Sequence, residues 1–470
     1  MAALPRFMVL YSESVGKYLR HPSIGLAIGV AADKAWEPQA KFEVEPSAVH
    51  PSMVHIKCSY NNKYLQPIGP DLAVAGWICP MADRPNENLV DWRCTLFQPE
   101  FRDHDLTVVQ LLHIQRGRYV TYRAPGISAD ATDSADPLVQ FQVTNWSTML
   151  VLPKHLAFKA NYYGYLGLVE EDELPFLRFE IDDRGERSIA SEVVPLPDGT
   201  SIRIKNVSRG AYWRRNGEAS DFVLAEDDLA TPGPDSLFQP IKVDDQTIVL
   251  RNLGNNRFAS RSGYYLQANE IEPFFSDLAL YELVSSRRIE DIEFLLEYGW
   301  VYDETLVVVA NPGEPVTNES GVARTLAVEV RYKDVRSCTL KANGPMLMSL
   351  GPVVRIQPDE IGSVNDSSTI ELVAPFEPSY LWGPHSTELG DPDRVKVHEV
   401  TVPPWSTVTV KLTASLATCN IPFIYTRYDV LDESTWKEEI YFMEDGLYTG
   451  TNYFNFKFEE SAPQPVVKEN

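Results

Sequence analysis

Short apolar strands separated by polar turns fill the first 285 residues, and they recur as a unit. Each unit has an apolar strand, a polar turn, then a basic or small residue followed by an aromatic. It reads MVLYSESVGKYLR (8–20), VHIKCSYNNKYLQ (54–66), VQLLHIQRGRYVT (109–121), LAFKANYYGYLG (156–167), IRIKNVSRGAYWR (202–214) and IVLRNLGNNRFAS (248–260). The aromatics Tyr18, Tyr64, Tyr119, Tyr165, Tyr212 and Phe258 are spaced by 46, 55, 46, 47 and 46 residues. A second aromatic strand closes each unit: FEVEP (42–46), CTLFQPEF (94–101), FQVTNW (141–146), LRFEID (177–182), SLFQPIKV (236–243) and ALYELV (279–284). LFQP occurs at 96–99 and again at 237–240, which sets the middle unit of one half onto the middle unit of the other. Period-two alternation with turn residues between the runs predicts about four strands per unit. One unit cannot bury its apolar face alone, whereas three around an axis close a barrel with few free edges. The pattern predicts two tandem β-trefoil domains, residues 1–150 and 151–287. A tyrosine at one fixed place in every unit is expected to pack at the barrel bottom, and loops between strands are expected to carry any ligand groups.

The pattern changes after Leu283. Longer alternating stretches follow, among them ETLVVVANP (304–312), RTLAVEVRY (324–332), STVTVKLTA (406–414), PFIYTRYDV (422–430) and TNYFNFKFE (451–459). Long strands with few helices predict an elongated antiparallel β domain over 288–470, so the whole chain is expected to be all-β. RRIEDIEFLLEYGW (287–300) fits either a short connecting helix or the start of a strand.

Composition narrows the function classes. The net charge is −24, and it is uneven: −2 over 1–150, −7 over 151–287 and −15 over 288–470. Nucleic-acid binding needs clustered Lys and Arg, so it is excluded as an expectation. No apolar run reaches the ~20 residues of a spanning helix. MAALPRFMVL has one base and a short apolar stretch, too little for a secretory signal. Five cysteines at no metal-like spacing fit a reducing compartment, so a cytoplasmic or nucleocytoplasmic protein without disulfides is expected. The sequons at Asn145, Asn206, Asn318 and Asn365 are then expected to be unused. No phosphate loop, G-x-S-x-G or EF-hand loop occurs, and HPSMVH (50–55) lacks metalloprotease spacing. Neither a catalytic site, a metal site nor a cofactor is expected.

Residues 1–285 resemble the amaranthin-type agglutinins, plant lectins with two β-trefoil agglutinin domains. The resemblance lies in MAALP with KYLR, ADK…FEVEPS, VHIK…NKYL, WRCTLFQP, LLHIQRGRY, FKANYYGYLG and LPFLRFE. Residues 290–465 resemble the aerolysin-like module, through ANPGEPVTNES (310–320), SYLWG (379–383), VTVPPWSTVTVKL (400–412), ATCNIPFIYT (417–426) and EDGLYTGTNYFNFKF (444–458). The resemblance implies binding of galactose/N-acetylgalactosamine-type glycans or glycoconjugates, a homodimer through the trefoils, and a role in plant defence. It also implies a third domain that oligomerises into a membrane pore. The alternative is an interaction protein whose third domain is structural only.

In the agglutinin type the sugar lies between the first domain of one subunit and the second domain of its partner. The first contribution corresponds to QPIGPDLAVAGWIC (66–79), with Asp71, Ala75, Gly76 and Trp77; Gly76 stands where the family has Tyr. The second corresponds to LRFEIDD (177–183), with Arg178, Glu180 and Asp182. Sugar recognition needs an aromatic face for C–H groups and oriented polar groups for hydroxyls. Trp77 with Asp71 can supply both, and Trp77 fits equally well as core beneath the loop. His113, in the apolar strand LLHIQ, reads as a structural histidine or a ligand group, and Glu180 and Asp182 as ligand groups or a solvated strand end. An inserting hairpin would correspond to about 340–399. Its alternation is patchy (Ile370, Leu372, Ala374 and Phe376, then Val395 and Val397), and from 357 to 399 it carries nine acids against two bases. Prolines 352, 358, 375, 378, 384 and 392 further remove ladder donors.

Overall fold

The computed structural model describes residues 4–21, 27–69, 76–102, 105–160, 162–196, 198–218, 220–228, 230–244, 246–273, 277–310, 315–333, 337–344, 354–356, 380–383, 386–388, 393–432 and 437–466. Among them, helical structure is limited to short 3-10 turns.

The first repeats form β1 (Phe7–Ser12), β2 (Lys17–Arg20), β3 (Gly29–Ala32), β4 (Phe42–Pro46), β5 (Val54–Cys58), β6 (Lys63–Pro67), β7 (Ile78–Ala82), β8 (Leu96–Arg102), β9 (Asp105–His113), β10 (Arg118–Arg123), β11 (Gly126–Ala131) and β12 (Phe141–Asn145). Following the pairing closes a ring: β1 to β4, β4 to β5, β5 to β8, β8 to β9, β9 to β12, and β12 back to β1. The hairpins β2–β3, β6–β7 and β10–β11 cap one end. A six-stranded antiparallel barrel capped by three hairpins is a β-trefoil. Closure leaves the ring no free edge, which is why three weak units suffice where one does not.

The second set repeats the plan with β13 (His155–Ala160), β14 (Tyr165–Glu171), β15 (Leu174–Ile181), β16 (Ser191–Pro195), β17 (Ile202–Asn206), β18 (Ala211–Asn216), β19 (Phe222–Asp227), β20 (Phe238–Lys242), β21 (Thr247–Asn252), β22 (Phe258–Ser262), β23 (Tyr265–Glu270) and β24 (Leu278–Glu282). Its ring runs β13–β16–β17–β20–β21–β24 and returns to β13. Phe158, Phe179, Trp213, Phe238, Ile248 and Leu250 fill its core. Burial of each such side chain contributes roughly 1.5–3 kcal/mol.

The repeated aromatics stand at the junction of barrel strand and cap hairpin. Tyr165 belongs to a satellite cluster with Ala157 and Ile189, apart from the main core. Tyr64 donates to Glu45 at 2.7 Å and Tyr119 to Glu100 at 2.8 Å. Lys57, Lys159 and Arg203 reach over Tyr64, Tyr165 and Tyr212 at 5.4, 5.0 and 3.6 Å from the ring centres. Two residues before the aromatic, the turn needs left-handed backbone. Gly16, Asn62, Gly117, Gly210 and Asn256 supply it, the residue types that adopt it most readily.

Contacts divide the chain into two compact units. The first gathers Met1–Arg288, Asn343–Pro352 and Tyr428–Ile440. Within it, Gly199 (φ +72°) of the β16–β17 turn lies against the first barrel, where an added Cβ would fall 2.5 Å from that of Ala35. Arg287 bonds Asp429 through Nε at 2.7 Å and Nη2 at 3.0 Å, and Glu282 through Nη2 at 2.5 Å. Lys154 Nζ donates to Glu439 at 3.0 Å. These bonds fasten Asp429 and Glu439 to the second barrel.

The second unit holds Ile289–Ala342, Val353–Arg427 and Tyr441–Asn470. Its main sheet contains Ser337–Ala342 and the greater part of Ser286–Phe294, of the 23-residue strand Val410–Asp432 and of the 24-residue strand Lys437–Glu460, whose remaining residues belong to the first unit. Residues 287–300 therefore form a strand followed by a 3-10 turn, Leu296–Tyr298, and no connecting α-helix. Phe423, Tyr425, Ile421 and Leu340 centre the core of this sheet. A separate ribbon pairs Arg324–Lys333 with Asp393–Val402 and buries Val330, Tyr332, Val400 and Val402. Most of 340–399, including Ile370, Leu372, Ala374 and Phe376, lies outside the described residues.

Candidate functional site

The stretch 66–79 joins β6 to β7. Ile68 N donates to Trp77 O at 2.7 Å, which extends the pairing, and Asp71 and Ala75 lie outside the described residues. Gly76 is buried in left-handed backbone (φ +98°), and a Cβ there would meet Arg116 Nη2 at 2.8 Å. Arg116 donates through Nε to Ala129 O at 2.9 Å. At this place the left-handed backbone favours glycine over a residue with a side chain, whereas the arginine end could move aside.

Trp77 is half-buried where the three cap hairpins converge. Its backbone bridges to Ser128, and its Cζ3 lies 3.1 Å from where a Cβ on Gly126 would be. The second barrel shows what this place is for. There Phe222 faces Gln267, the third residue of β23, as Trp77 faces Ser128, the third residue of β11. Phe222 packs with Phe176 and Tyr265, one ring from each hairpin, at centroid distances of 5.1–5.3 Å. In the first barrel a single indole fills that volume, beside Ala27 and Gly126. Trp77 thus packs at the centre of the cap and keeps part of its surface in solvent, which fits both readings of the sequence.

Trp92 was not singled out by sequence reasoning. It belongs to the stretch between β7 and β8 that gives the repeat its 55-residue spacing, so the signal was the spacing itself. Asn86, Asn88 and Asp91 each accept from the N–H two residues on, at 3.1, 3.1 and 2.9 Å, which fixes the loop. The Arg93 guanidinium holds the Asp91 carboxyl down to about 2. This loop presents Leu89, Val90 and Trp92 to solvent. The Trp92 ring lies 3.5 Å from a Cβ position on Gly69, at the start of the candidate sugar loop.

His113 is fully buried. Its Nε2 lies 3.0 Å from Cys94 O, and its Nδ1 accepts from Arg116 N at 3.3 Å. Burial pushes its pKa down to about 4. This is a neutral core histidine, and the expectation that it touches sugar is corrected: no ring edge or nitrogen faces outward. Ser47, His55 and Glu87 gather nearby but form no nucleophile–base pair, because Ser47 Oγ donates to Glu87 at 2.9 Å rather than to the imidazole. His55 Nε2 lies 3.2 Å from the same carboxylate.

In the second barrel the structure joins Arg178 to Glu180. Arg178 Nη2 lies 2.7 Å from Glu180, and Nη1 lies 3.1 Å from Glu171. Tyr265 donates to Glu171 at 2.7 Å, and the guanidinium lies 4.9 Å from the Tyr265 ring centre. Asp182 is exposed beyond the end of β15. Arg178 and Glu180 therefore form one cluster, while Gly76, Trp77 and His113 belong to the other barrel.

All five cysteines are free and buried. Asn206 and Asn318 are also buried: Asn206 Nδ2 donates to Ser188 O at 2.7 Å, and Asn318 Nδ2 to Val322 and Val402 O at 2.8 and 2.9 Å. Neither amide can carry a glycan in this fold. Among the described residues, no group of three or more His, Cys, Asp or Glu is placed to hold a metal ion.

Residues 2–132 match the model of the Agglutinin domain. Over that span the resemblance read from the sequence is borne out. No curated protein matches the chain. Among solved structures, a mosquitocidal holotoxin is similar at 10% identity and a TM-score of 0.28, covering 63% of this chain and 36% of the toxin. A Polyporus squamosus lectin bound to a human-type influenza-binding epitope, Neu5Aca2-6Galb1-4GlcNAc, is similar at 14% identity and a TM-score of 0.24. That likeness covers 29% of this chain and 50% of the lectin. The chain thus spans about a third of one neighbour and half of the other, and at these scores neither bears on its ligand.

Proposed function

We propose that this chain is a non-enzymatic lectin that binds neutral glycans of the galactose/N-acetylgalactosamine type through its trefoil caps. The observation that carries the reading is the Agglutinin match over 2–132, a span that lies within a complete trefoil. The fixed loop bearing exposed Trp92 beside Gly69 supports it, since an indole face suits the C–H patch of a pyranose. The test is a glycan array with the full chain. Signal on galactose- or N-acetylgalactosamine-terminated glycans, competed by the free sugar and reduced by Trp92→Ala, is expected. An array with no competable signal refutes the proposal. A homodimer through the trefoils is part of the same reading, and light scattering tests it.

A second reading makes the third domain a pore former. Its support is the sequence resemblance of 290–465 together with Val395 and Val397, both exposed on the ribbon. Arg331 and Glu329 stand directly opposite these valines, and a charge on a lipid face costs up to roughly 2–4 kcal/mol at the midplane. The lectin with a structural third domain therefore ranks first. Dye leakage from vesicles that carry the glycan, and none from bare vesicles, would reverse the order.

A further inference from the structure

We infer that the second barrel carries a complete saccharide site of its own, formed by Tyr163, Arg178, Glu180 and Tyr264 of one chain, and that it takes a neutral pyranose. The inference rests on the glycan-binding reading above. The Agglutinin match ends at residue 132, well before this cluster.

Three segments distant in sequence meet here. Tyr163 lies in the β13–β14 turn, Arg178 and Glu180 on β15, and Tyr264 in the β22–β23 turn. Phe179 N donates to Tyr264 O at 2.7 Å, which holds that turn against β15. The Tyr163 and Tyr264 rings stand edge to face, 6.3 Å apart at 82°. Arg261 covers one face of Tyr163 at 3.7 Å from its centre and is itself anchored on Gly263 O at 2.5 Å. Tyr163 is thereby fixed as a wall, and Tyr264, 52% exposed, is the floor. The turn also holds Tyr162 in left-handed backbone (φ +64°), a conformation bulky residues rarely adopt, with its side chain fully in solvent.

The polar half of the site is equally well set. Arg178 grips one oxygen each of Glu171 and Glu180, whose side chains stay 43% and 31% exposed. Carboxylates held this way accept hydrogen bonds from sugar hydroxyls, while an aromatic floor takes the C–H face. Charge selects the ligand class. Arg178 is already paired twice, Glu170 is paired with Arg209, and the end of β14 and the turn after it carry Glu171, Asp172 and Glu173, which outnumber the Arg261 guanidinium, so the balance disfavours an anionic sugar. Among the described residues the first barrel differs at this place: Gly29 pairs with Gly126 where Arg178 pairs with Tyr265.

The test is calorimetric titration of the full chain with a neutral galactose-type oligosaccharide and with its sialylated form, at several protein concentrations. Wild type should show a site whose affinity does not depend on protein concentration. Tyr264→Ala and Glu180→Gln should each weaken it at least tenfold with unchanged thermal unfolding, and Tyr264→Phe should retain it. The sialylated form should bind it at least tenfold more weakly. Unchanged affinity and stoichiometry in both Tyr264→Ala and Glu180→Gln, with binding lost only in Trp92→Ala, would overturn this inference and leave the lectin reading standing. No glycan binding by wild type would overturn both.

Discussion

Trp77→Ala separates a cap plug from a ligand-binding tryptophan. Replacement in a fully buried place costs roughly 3–5 kcal/mol. Trp77 is half-buried, and its neighbours Gly126 and Ala27 are too small to fill the gap, so about 2 kcal/mol is expected. For a domain of roughly this size that corresponds to a fall of about 4–8 °C in Tm. Trp77→Phe should cost less, because Phe222 occupies the same register in the second barrel. Near-UV circular dichroism against temperature, run beside glycan titration, reads both properties. An unchanged Tm together with lost glycan binding would refute the plug and restore Trp77 as a sugar contact.

Further outcomes follow from burial and geometry. The native fold holds His113 neutral down to about 4, whereas the unfolded chain takes up its proton near 6.5. Stability from this residue is therefore full above pH 6.5 and falls toward about pH 4, by up to about 3 kcal/mol. Urea unfolding at pH 7 and 4.5 should show the loss, and His113→Gln should flatten it; an equal slope in both proteins would contradict the assignment. Gly199→Ala places a methyl against Ala35 in left-handed backbone and should destabilise the chain by about 1–3 kcal/mol; an unchanged Tm would show that the contact with the first barrel yields freely. Expressed through a secretory route, folded protein should carry no glycan at Asn206 or Asn318, and peptide mass spectrometry showing occupancy at either would contradict their burial.

The sequence carried the trefoils because their physics is periodic. Aromatics and left-handed turn residues recur wherever a barrel strand hands over to a hairpin, so spacing alone located six junctions. The satellite position of Tyr165 was not legible, since an aromatic bonded to a cation or carboxylate reads the same as one in the core. His113 allowed two readings until its full burial favoured the structural one, whereas half-buried Trp77 still fits both. The Tyr163–Arg178–Tyr264 cluster was hidden for another reason: its parts are brought together only by barrel closure. The doublets Tyr162–Tyr163 and Tyr264–Tyr265 were visible, but one chain of letters does not say that they face each other. In the third domain, alternation located the long strands and failed at 287–300, where Ile289, Ile292, Leu295 and Leu296 fit a helix face as well as a strand.

The most direct measurement is equilibrium titration of the purified full chain with a neutral galactose-terminated oligosaccharide at pH 7. The account predicts saturable binding that free galactose or N-acetylgalactosamine reverses and that Trp92→Ala or Tyr264→Ala diminishes. A flat titration across galactose, N-acetylgalactosamine and their oligosaccharides, with the barrels shown to be folded, would contradict it.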